Sequence, residues 1–424
     1  MARITALFTA AFVLTNAAHA LAEDDWDAGF DEPTTSAPAV PKWQPEITGS
    51  VLVDSFHYVR SNKPTLPFLS RNSVDGRLRV KVDNARVTAV VELLMRRDLG
   101  NAQRTRNGLE QAYIDFGDGT TRLRVGRSLL RWGTTNLHRP ADVLDIRDYT
   151  DFIEDEKRAS YVVWARRKLG PLFLDGYVLP VPVAHVVPAA TLASGTASRE
   201  PSSDDVQLAG RVSGSLWAYE WELGYAFMFD RIPLPLPTGM HFRRQHVATF
   251  GVARAFGKTR IAGETAVTIP RNKAADDAGV VTDKGYVSSV VSVDYTTREF
   301  FDAHTIQVAV DLSMTQPLSG VLPRDPLSRL RYPFPLAALT RFTYHATEWH
   351  FHLNVIQGLE GHGFAEPPAL GGTQDLLVQP ELEFQVANYV QLKVGAALMS
   401  GNNGQLIGRY RSNSRVYWSA QTKF

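Results

Sequence analysis

The sequence predicts an all-β fold, a transmembrane antiparallel up-and-down β-barrel of about 18 strands, with about 16 as the alternative count. Three observations predict it. Apolar and polar residues alternate with period two in segments of roughly ten residues, the length at which a tilted strand crosses a bilayer. Short and long connections between these segments alternate along the chain, the one-sided pattern of membrane barrels. Finally, the chain has 424 residues and no Cys, and no later run reaches the roughly 18 apolar residues of a membrane helix. Closed inter-strand hydrogen bonding is then the remaining way to span a membrane.

The alternation is explicit in the residues. Arg77, Arg79 and Lys81 interleave with Leu78, Val80 and Val82, and Gln307, Ala309 and Asp311 with Val308, Val310 and Leu312. His350, His352 and Asn354 interleave with Phe351, Leu353 and Val355, and Glu381, Glu383 and Gln385 with Leu382, Phe384 and Val386. Segments of this kind fall at 47–58, 74–82, 85–96, 108–117, 120–130, 159–169, 172–180, 206–216 and 218–229. They continue at 244–256, 259–269, 285–296, 300–315, 335–346, 348–359, 375–386, 389–399 and 413–424. The segment 172–180 is the one whose loss would give the lower count, because prolines bound it. Short turns are expected at Asp83-Asn84, Asp118-Gly119, Gly170-Pro171, Gly257-Lys258, Thr297-Arg298, Ala346-Thr347 and Ala387-Asn388. Several of these dipeptides suit tight hairpins.

Residues 1–20 have the layout of a signal peptide: Arg3, an apolar stretch from Ile4 to Ala18, and Ala18-His19-Ala20 as a cleavage site. Residues 21–46 are acidic, then rich in Pro, Thr and Ala, and are expected to form a disordered periplasmic tail. Within it, Asp25 to Phe30 could dock a periplasmic partner, although on composition a solvated spacer is the favoured reading. The barrel is expected over 47–424. A net charge of +1 argues against a nucleic-acid protein, which needs a basic face for phosphates.

The last segment places Val416, Trp418, Ala420, Thr422 and Phe424 on one face. This resembles the Gram-negative outer-membrane β-barrel family, whose final strand ends in an aromatic residue. The resemblance implies an outer-membrane location, lipid around the barrel, and recognition of Phe424 by the barrel assembly machinery. Thr422 and Ala420 are less apolar than the family's pattern.

The connection from Thr134 to Arg158 is too long and too charged for a plain turn, and connections of such length are usually functional. It carries Asp142, Asp145, Asp148, Asp151, Glu154, Asp155 and Glu156, while neighbouring strands place Arg77, Arg79, Lys81, Arg86, Arg122 and Arg124 on the polar face. As the third long loop, after the fifth strand, it resembles by position the inward-folded loop of the general porins. That resemblance implies a constriction in which loop acids oppose a basic wall; mutual pairing that merely satisfies a polar interior is the competing reading. The pattern Gly126-Arg127, Trp132-Gly133, Arg139-Pro140-Ala141-Asp142, Arg147-Asp148 is similar to one in a poorly characterised group of proteobacterial outer-membrane proteins. Trp132 suits an interfacial aromatic girdle, and Arg139 and Asp142 suit a loop held by Arg–Asp pairs.

His345, His350 and His352 share the polar face of one hairpin, and facing strands could bring two together as metal ligands. No carboxylate stands at a fixed ligand spacing, so polar lining is the simpler expectation, and neither a metal nor another cofactor is expected. Enzymatic barrels carry a nucleophile with its base, and no spacing here singles one out; the expectation is therefore not an enzyme. The expected function is a porin-like channel for small polar solutes, the alternative a plugged structural or assembly barrel that binds a protein through its tail or external loops. Self-association into a homo-oligomer stays open.

Overall fold

The computed structural model describes residues 43–59, 70–84, 86–100, 102–151, 156–187, 206–236, 239–271, 285–300, 304–318, 335–359, 375–401, 406–410 and 413–424. Its strands in chain order begin with β1 (Gln44–Tyr58), β2 (Ser70–Asp83), β3 (Val87–Asp98), β4 (Arg106–Gly117), β5 (Thr121–Ser128), β6 (Ile146–Asp148) and β7 (Glu156–Arg158). There follow β8 (Ser160–Leu169), β9 (Leu172–Leu179), β10 (Gln207–Leu216), β11 (Tyr219–Phe229), β12 (Leu234–Leu236), β13 (Gly239–His241) and β14 (Arg244–Phe256). The remainder are β15 (Thr259–Arg271), β16 (Tyr286–Phe300), β17 (His304–Pro317), β18 (Leu336–His345), β19 (Trp349–Gly358), β20 (Leu376–Ala387), β21 (Val390–Ser400) and β22 (Arg415–Lys423).

Eighteen of these strands form one sheet, antiparallel throughout. The sheet closes where β1 pairs with β22, from Ser50↔Lys423 to Tyr58↔Arg415. Closure removes both edges of the eighteen-stranded sheet, so each of its strands is paired on both sides. Beyond β22, Phe424 exchanges backbone hydrogen bonds with Gly49, at 2.7 and 2.9 Å. Gly49 lies directly beneath the Phe424 ring, where a side chain would collide with it. The remaining strands make two small hairpins, β6–β7 and β12–β13.

The burial pattern is the reverse of a water-soluble protein. On β3, Val91, Leu93 and Met95 are exposed while Glu92 and Arg96 are buried. On β4 and β5, Ile114, Phe116, Leu123 and Val125 face outward, whereas Asp115 and Arg124 are buried inside. A mainly apolar exterior over a largely polar interior, among the described residues, suits hydrocarbon outside and water inside. Phe116, Tyr219, Phe256, Trp349 and Tyr389 are exposed at the short-turn end, the place of an interfacial aromatic girdle.

Each predicted segment corresponds to a strand, the Pro-bounded segment 172–180 becoming β9. Edges differ at several strands, β2 beginning at Ser70 and β17 at His304. β1 begins at Gln44, three residues before the predicted start. β16 runs to Phe300, through the expected turn at Thr297-Arg298, and its register with β17 shifts between Thr297 and Phe300. A β-bulge of this kind carries an extra residue past a turn signal. The β10–β11 turn was not signalled by its residues: Trp217 and Ala218 both have positive φ, 52° and 64°, the geometry normally supplied by Asn-Gly. Residues 1–42, the expected signal peptide and nearly all of the tail, lie outside the described residues.

Candidate functional site: a loop clasped across the lumen

The connection between β5 and β8 crosses the inside of the barrel, and Glu264 on β15 is its principal anchor. Glu264 is 2% exposed. One carboxylate oxygen accepts from the backbone N–H of Thr134 at 2.7 Å and of Thr135 at 3.2 Å, and from the Thr135 hydroxyl at 3.1 Å. The other accepts from the N–H of Ala141 at 2.5 Å. On β17, Asp311 accepts from the N–H groups of Leu137 and His138 at 3.2 and 2.9 Å. Between them, Asp294 on β16 accepts from the Asn136 side chain at 2.8 Å. Three adjacent strands thus supply the acceptors that residues 134–141, having no regular structure, cannot supply themselves.

Small wall residues let the loop approach. A Cβ on Gly224 would lie 2.8 Å from the Trp132 ring, and one on Gly251 would lie 2.9 Å from Thr134 Oγ1. Gly133 has φ +108°, and a side chain there would meet the Glu264 carboxylate at 2.7 Å; the loop needs glycine both for conformation and for space. Trp132 is 1% exposed and packs with Leu130, Leu144, Trp164, Tyr177 and Met228 in an apolar core inside the barrel. This corrects the expected girdle position. The indole sits beneath the loop as its hydrophobic anchor, which alternation could not indicate because Trp132 follows the end of β5.

The second half of the loop is tied to the opposite wall. Residues 146–148 and 156–158 form the β6–β7 hairpin. Glu156 pairs with Arg96 on β3 and Arg106 on β4, at 2.5 and 2.6 Å. Asp151 pairs with Arg415 on β22 at 2.6 Å. Asp148 accepts from Thr150 and pairs with Arg158. Asp142 and Asp145 share the Lys157 ammonium at 2.8 and 2.7 Å, and Asp142 also accepts from the Trp132 N–H. The partner of Asp142 is therefore a lysine of the loop, while Arg139 donates to the Thr135 carbonyl at 2.7 Å; this differs from the expected Arg–Asp pairing. Burial and the neighbouring Asp142 push the Asp145 carboxyl up to about 7 against the pull of Lys157 and Arg147. The Asp148 carboxyl, by contrast, lies below its usual range despite burial, because Thr150 and Arg158 stabilise its charge. Glu154 and Asp155 lie outside the described residues.

The basic wall finds partners on the strands. Arg122 and Arg124 pair with Asp115 at 2.9 and 2.6 Å, Arg77 approaches Glu92 at 3.8 Å, and Lys81 approaches Asp83 and Glu46. Arg79 stands opposite Glu92 in the register. Arg86 is exposed at the short-turn end, where it lines a small cavity with Arg122. Wall and loop acids occupy different levels: the wall clusters toward the short turns, and the loop descends from the other end.

Beside the loop a cavity of about 560 Å³ remains open. Its loop side includes Arg139 and Arg147, and its far side Tyr286, Ser288, Arg341, Asn354 and Glu381. The side chains of Asp142 and Asp145 have no exposed surface, whereas Arg147 is 27% exposed. Arg147 is thus the more accessible charge on the loop's cavity side, where Asp142, Asp145 and Asp148 also lie but are buried. The sequence located the loop but not its anchors. Glu264 and Asp311 fall on the polar face of alternating segments, and nothing in their spacing distinguishes a backbone acceptor from a lining charge.

No protein-family model and no curated protein sequence matches the chain. Among solved structures, a BenF-like porin from Pseudomonas fluorescens superposes with TM-score 0.53 at 8% identity, covering 90% of this chain and 98% of that one. OccK2 (OpdF) from Pseudomonas aeruginosa, solved in complex with glucuronate, gives 0.52 at 10% identity, covering 90% and 96%. OccK3 (OpdO) from the same organism gives 0.52 at 10% identity, covering 89% and 95%. At these identities the likeness establishes a fold shared with these porins.

Proposed function

We propose that the protein is a porin-like channel in the outer membrane of a Gram-negative bacterium, passing small polar solutes through a lumen narrowed by its third external loop. The observation that carries this reading is the loop's double anchorage, with Glu264, Asp294 and Asp311 on one wall and Arg96, Arg106 and Arg415 on the other. A segment held so firmly across a polar lumen, with an open cavity beside it, restricts passage without filling the barrel. The passage is lined by charged and hydroxyl groups, which replace part of a polar solute's hydration and give an apolar solute nothing in exchange. The vestibule formed by Arg77, Arg79, Lys81, Arg86, Arg122 and Arg124 would then act on solutes leaving the constriction. The shared fold with a porin crystallised with glucuronate supports a small polar solute.

Liposome swelling with purified protein tests the proposal. Small sugars and amino acids should enter at rates that fall sharply with solute size. Liposomes holding folded barrel yet impermeable to every small solute would refute it.

A further inference from the structure

Strand pairing brings together side chains far apart in sequence on the lumen face of β18, β19 and β20. His345 stands opposite His350; across the next pairing His350 stands opposite Glu383 and His352 opposite Glu381. Ligand atoms of His352, Glu381 and Glu383 lie within 4.8 Å of one another. His350 Nδ1 is 3.4 Å from a Glu383 oxygen, and the His345 ring centroid is 4.5 Å from that of His350 and 5.8 Å from that of His352. The carboxylates missing from the histidine hairpin in the linear sequence come from the neighbouring strand.

Three imidazoles and two carboxylates are a donor set of intermediate softness, suited to zinc and copper and poorly matched to magnesium. The Lys393 ammonium lies 3.4 Å from Glu381 and 2.9 Å from Glu383. It neutralises one of their two charges and leaves the patch attractive to a divalent cation, which must displace it. Thr343 Oγ1 lies 3.3 Å from His352 Nδ1 and orients that ring, the support a ligating imidazole usually has.

We propose that this patch binds a divalent transition-metal ion, with His352, Glu381 and Glu383 as ligands and His350 completing the set. Glu381 also lines the central cavity, so the bound ion sits on the lumen wall where it would add positive charge to the passage. The inference goes beyond the channel reading and does not depend on conduction.

Isothermal titration of the folded barrel in detergent, with any affinity tag removed and zinc chloride as titrant, tests it. Zinc should bind with a stoichiometry of one. Affinity should fall about ten-fold or more in a His352→Ala, Glu381→Gln variant and rise in Lys393→Gln, which removes the competing ammonium without touching a ligand. Folding of each variant is checked by its heat-modifiable migration in a gel. Absence of zinc binding in the wild type, unchanged affinity in the folded double variant, weaker binding in Lys393→Gln, or magnesium binding as tight as zinc would each overturn the proposal.

Discussion

Removing the Glu264 carboxylate should release the loop while leaving the barrel closed. In Glu264→Ala the N–H groups of Thr134, Thr135 and Ala141 lose their acceptor, while the Thr135 hydroxyl keeps the His138 carbonyl at 2.6 Å. Each buried N–H without a partner costs about 1–3 kcal/mol, so the clasped loop is destabilised by roughly 3–9 kcal/mol before the relief of a desolvated charge is subtracted. A net shift of about 3 kcal/mol already moves the clasped-to-released equilibrium about a hundred-fold. The strand ladders of β15 with β14 and β16 do not involve the side chain, so folding and heat-modifiability should persist. Glu264→Gln should be intermediate, because an amide retaining the acceptor toward Thr134 and Thr135 turns its NH2 against the Ala141 N–H. Single-channel recording in planar bilayers reads the outcome. Glu264→Ala should show larger and noisier unitary currents, and Glu264→Gln a smaller change in the same direction. A folded Glu264→Ala barrel with wild-type conductance and noise would refute the claim that this clasp holds the constriction.

Further outcomes follow from the same geometry. The Asp145 carboxyl is raised above its unfolded value, so its contribution to the clasped loop is complete at low pH and is lost as pH rises through about 7. Current noise should therefore grow from about pH 4 to about pH 7 and level off above, and Asp145→Asn should remove that dependence; an equally steep dependence in the variant would contradict the assignment. Replacing Trp217 and Ala218, both at positive φ, by Asn and Gly should raise resistance to denaturant-induced unfolding by about 1–3 kcal/mol, and an unchanged or lower midpoint would show that the turn is unstrained. Changing Arg77, Arg79, Arg122 and Arg124 to Ser should shift the reversal potential in a salt gradient toward cation preference, since four positive charges leave the vestibule. An unshifted potential would show that the wall lies off the ion path.

The fold was legible because membrane barrels write their architecture into period two. Leu123 and Val125 outside, Arg122 and Arg124 inside, could be read directly from alternation. The register slip at Thr297 to Phe300 could not, because a bulge moves a turn without changing residue type. The loop was legible by length and charge, but its attachment was not. Sequence suggested that Asp142 to Glu156 would face a basic wall, whereas Asp142 and Asp145 turn inward to Lys157 and the wall arginines pair with Asp115. These pairings join residues only 7 to 15 apart, but which of several nearby acids each cation takes is not encoded by type; the clasp itself depends on contacts spanning more than a hundred residues, as between Glu264 and Ala141. The Gly133 position carries a partial signal: a glycine after a large aromatic, outside any strand, marks a close backbone approach.

The central claim, that the third loop stands in a conducting pore, is tested most directly by a single cysteine. The chain has none of its own, so Arg147→Cys places one thiol on the cavity-facing surface of the loop. After a bulky charged thiol reagent is added during planar-bilayer recording, unitary currents should drop in discrete steps and recover on reduction. Currents unaffected by complete modification of that thiol, or no currents from folded protein at all, would contradict the account.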